Sequence, residues 1–273
     1  AARLECVAGL SRAEEAGDPA GIRYSFKDDP RIDWLARFLK SHRPAKVLLI
    51  CKSQRKAAAI DQALRERISV KTGLFHEGLP LVQRDRNAAW FAEPDGAQIL
   101  LCSEIGSEGR NFQFAHHLVL FDLPLNPSLL EQRIGRLDRI GQTETIRIHV
   151  PYIEKSCEEF VLDWYHRGLD AVETPLQSGD EYERTFKERV LAAALADAEG
   201  GREELIDETA RFRKALTTKL KQGRDRLLEL NSFNRGAAEK LIERIRGADA
   251  DPFLRNFLIA LLDHFGVRVR EHE

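Results

Sequence analysis

Hydrophobic positions between residues 29 and 151 alternate between the period of a strand and the period of a helix. Short continuous apolar runs, such as KVLLIC at 46–51, have the length of strands that are covered on both faces. Between them lie longer segments whose apolar residues are three and four positions apart, which is the helical period. Strands alternating with helices predict an α/β domain, in which helices flank a parallel sheet.

The individual elements follow from these runs and from their cap residues. The predicted strands cover 46–51, 69–75, 97–102, 117–121 and 145–149. The predicted helices begin at Pro30 and cover about 53–67, 80–92 and 127–139. Asp29-Pro30 and Asn126-Pro127 each combine an N-cap side chain with a proline at the first helical position.

Beyond Pro151 the pattern changes, and helical spacing dominates. A long amphipathic helix is predicted over 203–230, and an apolar helix begins at Asp251-Pro252. We therefore expect a partial extension at 1–28, the α/β domain at 29–152 and a mainly α-helical region at 153–273.

Composition adds few constraints. The 273 residues are 43% apolar and 32% charged, with a formal net charge of −2, so any basic nucleic-acid surface must be local. No apolar run has the length of a membrane span and no secretory signal opens the chain, which favours a cytoplasmic protein. The absence of methionine and the start in mid-pattern indicate a piece of a longer protein. Cys51 and Cys102 end predicted strands, which favours buried thiols over metal ligands.

The segment LLEQRIGRLDRIGQTE at 129–144 contains the first candidate chemistry. On an ideal helix, Gln132, Arg136 and Arg139 fall on the face opposite the leucines. A guanidinium binds phosphate oxygens bidentately and stays charged. The alternative is a solvated basic face paired with Glu131 and Asp138.

Two loops strengthen the phosphate hypothesis. CSEIGSEGRNFQ at 102–113 follows an apolar strand, and its glycines would let backbone N–H groups face a phosphate or a ribose. FHEGLP at 75–80 ends another predicted strand. In a parallel sheet these loops and the arginine helix would lie at one edge, beyond the carboxyl ends of the strands.

At this point the residues resemble a known family. QRIGRLDRIGQ is similar to the arginine motif of superfamily-two helicases and translocases in its Swi/Snf form, and SEIGSEGRNF is similar to the motif before it. From about residue 24 onward, FDLPLNPSLLEQ, HVPYIEKS, WYHRGLDAVE and QGRDRLLELNS also resemble the RapA-like bacterial RNA polymerase-associated Swi/Snf ATPases. The resemblance implies a second RecA-like helicase lobe at 29–152, followed by the family's helical region.

The resemblance also assigns roles to individual positions. Arg136 and Arg139 match the catalytic arginine fingers. The positions that match nucleotide contacts are Gly109, Asn111, Gln132 and Arg133. For Arg133, a contact that ties the motif to neighbouring loops is favoured over a contact with the nucleotide. The positions that match DNA contacts are Ser103, His76 and Gly78. Glu108 departs from the arginine found in many superfamily-two members.

The implied parent protein is an ATP-dependent double-stranded DNA translocase that is cytoplasmic, associated with the bacterial nucleoid, and bound to RNA polymerase, which it recycles. ATP and Mg²⁺ would be bound mainly by the N-terminal helicase lobe of the same parent chain. The sequence contains no GxxxxGK[ST] loop to cradle phosphates, and LIDETA at 205–210 has the pattern of a solvated helix face. We therefore expect no ATP hydrolysis by this chain alone, and no metal site of its own.

Two alternatives belong to other functional classes. The helical region could be a protein-docking module. The lobe could also bind DNA without ATP, through phosphate contacts that are insensitive to sequence and weaken steeply with salt.

Overall fold

The computed structural model describes residues 24–104, 111–176, 178–196, 201–230 and 235–267. Its strands are β1 (Val47–Cys51), β2 (Thr72–Phe75), β3 (Ile99–Ser103), β4 (His117–Leu120) and β5 (Arg147–His149). The helices between them are α1 (Pro30–Ser41), α2 (Gln54–Arg65), α3 (Leu81–Ala92) and α4 (Pro127–Ile134). The later helices are α5 (Cys157–Asp163), α6 (Gly179–Leu195), α7 (Arg202–Leu230), α8 (Arg235–Ala250) and α9 (Pro252–His264), and a π-helical segment, Trp164–Leu169, continues α5.

The five strands form one parallel sheet in the order β2-β3-β1-β4-β5. The central strand β1 pairs with β3 through Val47 opposite Ile99, and with β4 through Leu48 opposite Leu118. Every residue of β1 is buried, as its continuous apolar run predicts. The predicted α/β fold with a parallel sheet and flanking helices is confirmed.

Helix α1 shows how the sequence determines an element. The Asp29 side chain accepts a hydrogen bond from the Arg31 N–H at 2.9 Å, and Pro30 occupies the first turn. At helical spacing, Ile32, Leu35 and Leu39 point inward and are fully buried in a core with β1 and α2. The predicted buried thiols are also found, since Cys51 and Cys102 are buried free cysteines.

The main difference from the predicted elements is the length of α4. The helix was predicted over 127–139, but it ends at Ile134, with Gly135 as its C-cap. The next residues form turns, in which the Leu137 and Asp138 N–H groups both donate to the Ile134 carbonyl at 3.0 Å. Gly135 is a poor helix former, which favours an end of the helix at this position.

The first part of the helical region packs on the sheet domain. Arg31 Nη1 forms a salt bridge of 2.8 Å with Glu158 at the start of α5. The buried Tyr165 hydroxyl donates to the Pro124 carbonyl at 2.7 Å. Trp164 Nε1 in turn donates to the Thr209 hydroxyl at 3.0 Å, which joins the π-helical segment to α7.

The chain divides into two compact units, one up to Thr217 and the other from Thr218. The first contains the sheet, α5, α6 and the beginning of α7; the second contains α8 and α9. The boundaries expected from the sequence, at 28/29 and 152/153, stay predictions. Among the residues that the structure describes, no helix is both long and apolar enough to cross a membrane.

Candidate functional site

The carboxyl ends of the strands form one edge, and the polar residues that follow them gather there. Glu104 follows β3, and Asp122 lies just beyond β4. Helix α4 begins at the same edge, where the Asn126 side chain accepts a hydrogen bond from the Ser128 N–H at 2.7 Å. Leu130 is fully buried and anchors the helix. Open α/β sheets bind ligands at this edge.

Arg133 is the central residue of this edge, and it is 2% exposed. Its Nε donates to Glu104 Oε1 at 2.9 Å, and its Nη2 forms a salt bridge with the same carboxylate. Its Nη1 donates to the Asp122 carbonyl at 2.6 Å and lies 3.3 Å from Asp122 Oδ1. The guanidinium therefore joins α4 to the segments that follow β3 and β4.

Asp122 is also bound from the other side. Lys56 Nζ lies 2.9 Å from its Oδ2, and the Lys52 N–H donates to the same oxygen at 3.0 Å. Burial alone would raise the pKa of this carboxyl, but Lys56 and Arg133 outweigh burial and hold it well below its ordinary value. Burial would likewise lower the pKa of Arg133, and Glu104 and Asp122 raise it instead. Both groups are therefore charged, and each stabilises the other.

The resemblance places Arg133 among the nucleotide-contacting positions, and it also gives Arg133 the role of tying the motif to neighbouring loops. Its donors face Glu104 and Asp122 inside the protein, which agrees with the second role. In this structure Arg133 has the position of a brace.

The other candidate residues of the segment at 129–144, here called the arginine segment, do not share one helical face as expected. Gln132 is exposed, Arg136 is buried at 8% exposure, and Arg139 is exposed. The helical projection fails because α4 ends before Arg136. The Arg136 carbonyl accepts a hydrogen bond from the Phe112 N–H at 3.0 Å, so the backbone turns toward the segment after β3.

Two predicted nucleotide contacts lie on that segment. Gly109 falls in 105–110, outside the described residues. Asn111 is exposed, and its Oδ1 accepts a hydrogen bond from the Gln113 N–H at 3.0 Å, which forms a local turn. Gln142 Nε2 donates to the Gln113 carbonyl at 2.9 Å, so the end of the segment is held against the residues after α4.

The predicted DNA contacts lie at the ends of β2 and β3. Ser103 is fully buried, and its hydroxyl donates to the carboxylate of the exposed Glu77. As it stands, Ser103 therefore meets a carboxylate rather than presenting its hydroxyl to a DNA phosphate, and we correct the prediction to this extent.

The other two predicted DNA contacts flank Glu77. His76 is half-buried, and burial lowers the pKa of its imidazole. Gly78 is exposed, and a Cβ at this position would lie 2.1 Å from Gln54 Oε1. The loop thus lies directly against the Gln54 side chain at the start of α2.

Helix α4 is also held from the side of the helical region. Glu131 Oε1 accepts a hydrogen bond from the Leu176 N–H at 2.7 Å, and the Ser128 hydroxyl donates to Asp180 Oδ1 at 2.9 Å. A Cβ on Gly179 would lie 2.9 Å from the Ser128 nitrogen. In the alternative to the phosphate hypothesis Glu131 pairs with the arginines; in the structure it accepts a hydrogen bond from the backbone of another segment.

The residues that complete this network were not singled out from the sequence. They are Lys56, Glu77, Glu104, Asp122 and Gln142. A signal for three of them was present, since Glu77, Glu104 and Asp122 all lie within two residues of the end of a buried strand. Charged residues there lie at the same edge of a parallel sheet, whereas the choice of partners depends on side-chain packing.

Comparison with known families gives two matches that divide the chain between residues 141 and 145, whereas the sequence pattern changes beyond Pro151. The helicase conserved C-terminal domain matches residues 30–141. The C-terminal region of the RNA polymerase recycling family, RapA_C, matches residues 145–273.

Three solved structures are among those to which this chain is similar. The C-terminal part of the Fun30 ATPase domain is 20% identical, with a TM-score of 0.44 over 59% of this chain and 54% of that one. Domain 2 of the DEAD-box helicase Mss116p, bound to an RNA duplex, is 20% identical, with a TM-score of 0.41 over 49% and 52%. A DEAD box protein from Methanococcus jannaschii is 24% identical, with a TM-score of 0.45 over 54% and 38%. The chain spans about half the length of the first two.

The two family matches lie end to end and together span most of the chain. The first contains strands β1 to β4 and Arg133, Arg136 and Arg139, and the second begins just before β5. The two matches together identify a C-terminal helicase lobe followed by the C-terminal region of the RNA polymerase recycling family, and they support a RapA-like superfamily-two helicase fragment.

Proposed function

We propose that this chain is the arginine-supplying half of an ATP-dependent double-stranded DNA translocase that associates with RNA polymerase in transcription. In this proposal Arg139 and Arg136 stabilise charge on the phosphoryl group of ATP, which lies mainly on the N-terminal lobe of the same parent chain. The chain alone is an incomplete ATPase.

The observation that carries the proposal is the brace at Arg133. Because Arg133 is held by Glu104 and Asp122, the backbone that leads to Arg136 and Arg139 has a defined position at the ligand-binding edge of the sheet. Arg139 is exposed, so it can reach a ligand bound by another domain. Fixing a cation before a phosphate arrives lowers the cost of reorganisation during phosphoryl transfer.

ATP would supply the phosphoryl group, and Mg²⁺ would offset its charge. The residues of this chain fit the outer side of such a site. Arg136 and Arg139 are cationic, Gln132 is exposed nearby on α4, and the carboxylates of Glu104 and Asp122 are already paired with Arg133 rather than directed at phosphate. What the chain contributes is positive charge held in position.

The proposed DNA contacts are made to phosphates at the loop of residues 76–78 and at Ser103. The hydrogen bond between Ser103 and Glu77 adds a condition. It must break before the Ser103 hydroxyl can donate a hydrogen bond to a DNA phosphate. Binding of this kind would be insensitive to base sequence and would weaken steeply with salt.

A second candidate function is protein docking through the last two helices. Within the second compact unit, several large apolar side chains are exposed, among them Leu241, Ile245, Phe253, Phe257 and Phe265. Exposed apolar patches commonly mark interaction sites. RNA polymerase is the partner that we propose for this surface, because the matching family is described by polymerase recycling.

The ATPase proposal is tested by measuring steady-state ATP hydrolysis with and without the N-terminal lobe. We expect no turnover by the chain alone, and DNA-stimulated turnover when the lobe is joined to it. Arg139→Ala in the joined protein should lower kcat by about 10³-fold or more, as loss of arginine fingers does elsewhere.

Arg189→Ala is the matched control, since Arg189 is an exposed arginine on α6 that pairs with Glu208 and should leave kcat unchanged. Two results would refute the proposal. One is ATP hydrolysis by the isolated chain that Arg139→Ala abolishes, and the other is a joined protein whose kcat is the same with and without Arg139→Ala.

A further inference from the structure

A cavity of about 510 Å³ lies at the opposite edge of the sheet from the arginine segment. Lys46, Lys71 and Gln98 each immediately precede a strand, which places the cavity at the amino ends of β1, β2 and β3. Its polar lining consists of Arg43, Lys46, Ser69, Lys71, Asp95 and Gln98.

The three cationic side chains are anchored to backbone carbonyls of the cavity walls. Arg43 Nη2 donates to the Ser69 carbonyl at 2.7 Å, and Lys71 Nζ donates to the Asp95 carbonyl. Lys46 Nζ donates to the Ala97 carbonyl at 2.8 Å and also to the Glu93 carbonyl. Each cation is thus held in place across a loop, and the entropy cost of ordering these long side chains has already been met in part.

The cavity has an excess of positive charge. Burial, and then the nearby Lys71, lower the pKa of Lys46, while Asp95 and Glu93 act in the opposite direction. Among the described residues that line the cavity, Asp95 supplies the one carboxylate against three cations. The positive charge of Lys71 disfavours the charged form of Lys46, and an anion bound beside them would offset this effect.

Lys46 has a structural role of its own. One of its acceptors is the carbonyl of Glu93, the C-cap residue of α3, where a cation complements the helix dipole; the other is the Ala97 carbonyl, two residues before β3. Arg43 and Lys71 each donate one N–H to a carbonyl, and both are exposed residues that line the cavity. A guanidinium has five N–H donors and an ammonium group has three, so one carbonyl does not use all the donors of either side chain.

We propose that this cavity is a binding site for a phosphate oxyanion that carries two or more phosphate groups. Its volume exceeds that of one small anion, and a guanidinium together with two ammonium groups matches several phosphate oxygens at once. The chemistry is the same for a free compound such as pyrophosphate and for consecutive phosphates of a nucleic-acid backbone. This site is independent of the arginine segment and of the proposed ATPase.

The test is isothermal titration calorimetry of the full chain with sodium pyrophosphate at low ionic strength. We expect saturable binding that Arg43→Gln and Lys71→Gln each weaken by about fivefold to tenfold, because each removes a charged hydrogen-bond donor. Asp95→Asn should tighten binding, since it removes the one negative charge of the lining. Lys46 is left intact because it caps α3.

Lys27→Gln is the matched control, which removes a charge from an exposed lysine outside the cavity and should leave the affinity unchanged. Displacement of pyrophosphate by a short DNA duplex would identify a nucleic-acid backbone as the natural source, and failure of displacement would identify a free phosphate compound. The absence of saturable binding, or equal affinities for wild type, Arg43→Gln, Lys71→Gln and Asp95→Asn, would overturn the proposal.

Discussion

Arg133 and Arg139 are six positions apart in one motif, and their surroundings differ completely. Arg133 is 2% exposed and its guanidinium contacts two carboxylates, whereas Arg139 is exposed to solvent. A buried ion pair loses much of its hydration, so removing one partner leaves a charge that nothing compensates. The same substitution should therefore have opposite consequences for stability and for chemistry at the two positions.

We expect Arg133→Ala to lower the free energy of unfolding by about 3–5 kcal/mol, because it removes the buried cation that pairs with both Glu104 and Asp122. Arg139→Ala, the matched control, should change it by less than about 0.5 kcal/mol. Urea denaturation of both variants measures the difference. Equal stabilities would show that Arg133 is not a brace.

The dependence of stability on pH gives a second readout of the same variants. The folded pKa of Asp122 lies below its ordinary value of 3.8, so its stabilisation is complete above that value and is lost as the pH falls toward the folded pKa. Arg133→Ala removes one cation that lowers this pKa, and we expect it to reduce the loss of stability in acid. If Arg133→Ala loses as much stability in acid as the wild type does, Arg133 does not lower this pKa.

At the scale of single residues, the sequence predicts which positions matter better than what they touch. The motif identifies Arg133, Arg136 and Ser103 as important, but the carboxylates that meet Arg133 and Ser103 are contributed by distant parts of the chain. A spacing rule contains no information about such partners, because they are selected by packing in three dimensions.

Helix α4 shows the corresponding limit at the scale of elements. Its start is predicted correctly, because the N-cap and the first-turn proline are local signals. Its end is missed, because the apolar period continues through Leu137, which is fully buried although it lies beyond the helix. Burial at the right spacing does not require that the helix continue.

Contact between α4 and α6 gives a prediction at this scale. Gly179→Ala would place a Cβ 2.9 Å from the Ser128 nitrogen, so the start of α6 must move away from α4. We expect a loss of about 1–3 kcal/mol of stability, as for overpacked interiors. Faster hydrogen exchange in α4 and α6 would locate the effect.

Gly247→Ala is the control for this substitution. Gly247 lies within α8, and a Cβ there has nothing within 4 Å, so the alanine should raise stability by about 0.5–1 kcal/mol through helix propensity alone. If both glycine substitutions stabilise the protein, the close approach of α4 and α6 is not a constraint.

For the whole molecule, the alternation of strands and helices is enough to predict the fold class. The spacing of apolar residues in each strand or helix depends only on which positions of that segment are buried. The five-stranded order, with β1 at the centre, requires pairing information that no single segment contains. The pattern also fails to show that the helical region contacts the arginine helix, since Leu176 contributes only a backbone N–H.

Polymerase docking is the prediction that concerns the molecule as a whole. In a pull-down with purified RNA polymerase, we expect the full chain to be captured and Phe257→Glu to reduce capture by about tenfold, since a charge in an apolar contact is costly. Val82→Glu is the control, because Val82 is an exposed apolar residue of α3. Equal capture of all three proteins would exclude the α9 surface as the docking site.

The contact between Arg31 and Glu158 has a practical consequence for dividing this protein. A chain truncated after Pro151 would lose Glu158 from a guanidinium that is 7% exposed and packs over the Phe121 ring, and would also lose the Tyr165 hydroxyl bond to Pro124. The helicase match ends at 141, so a piece cut there would lack both contacts, and we expect a stable piece to extend at least through Leu169. Exchange of this lobe between relatives would have to transfer both sides of that junction together.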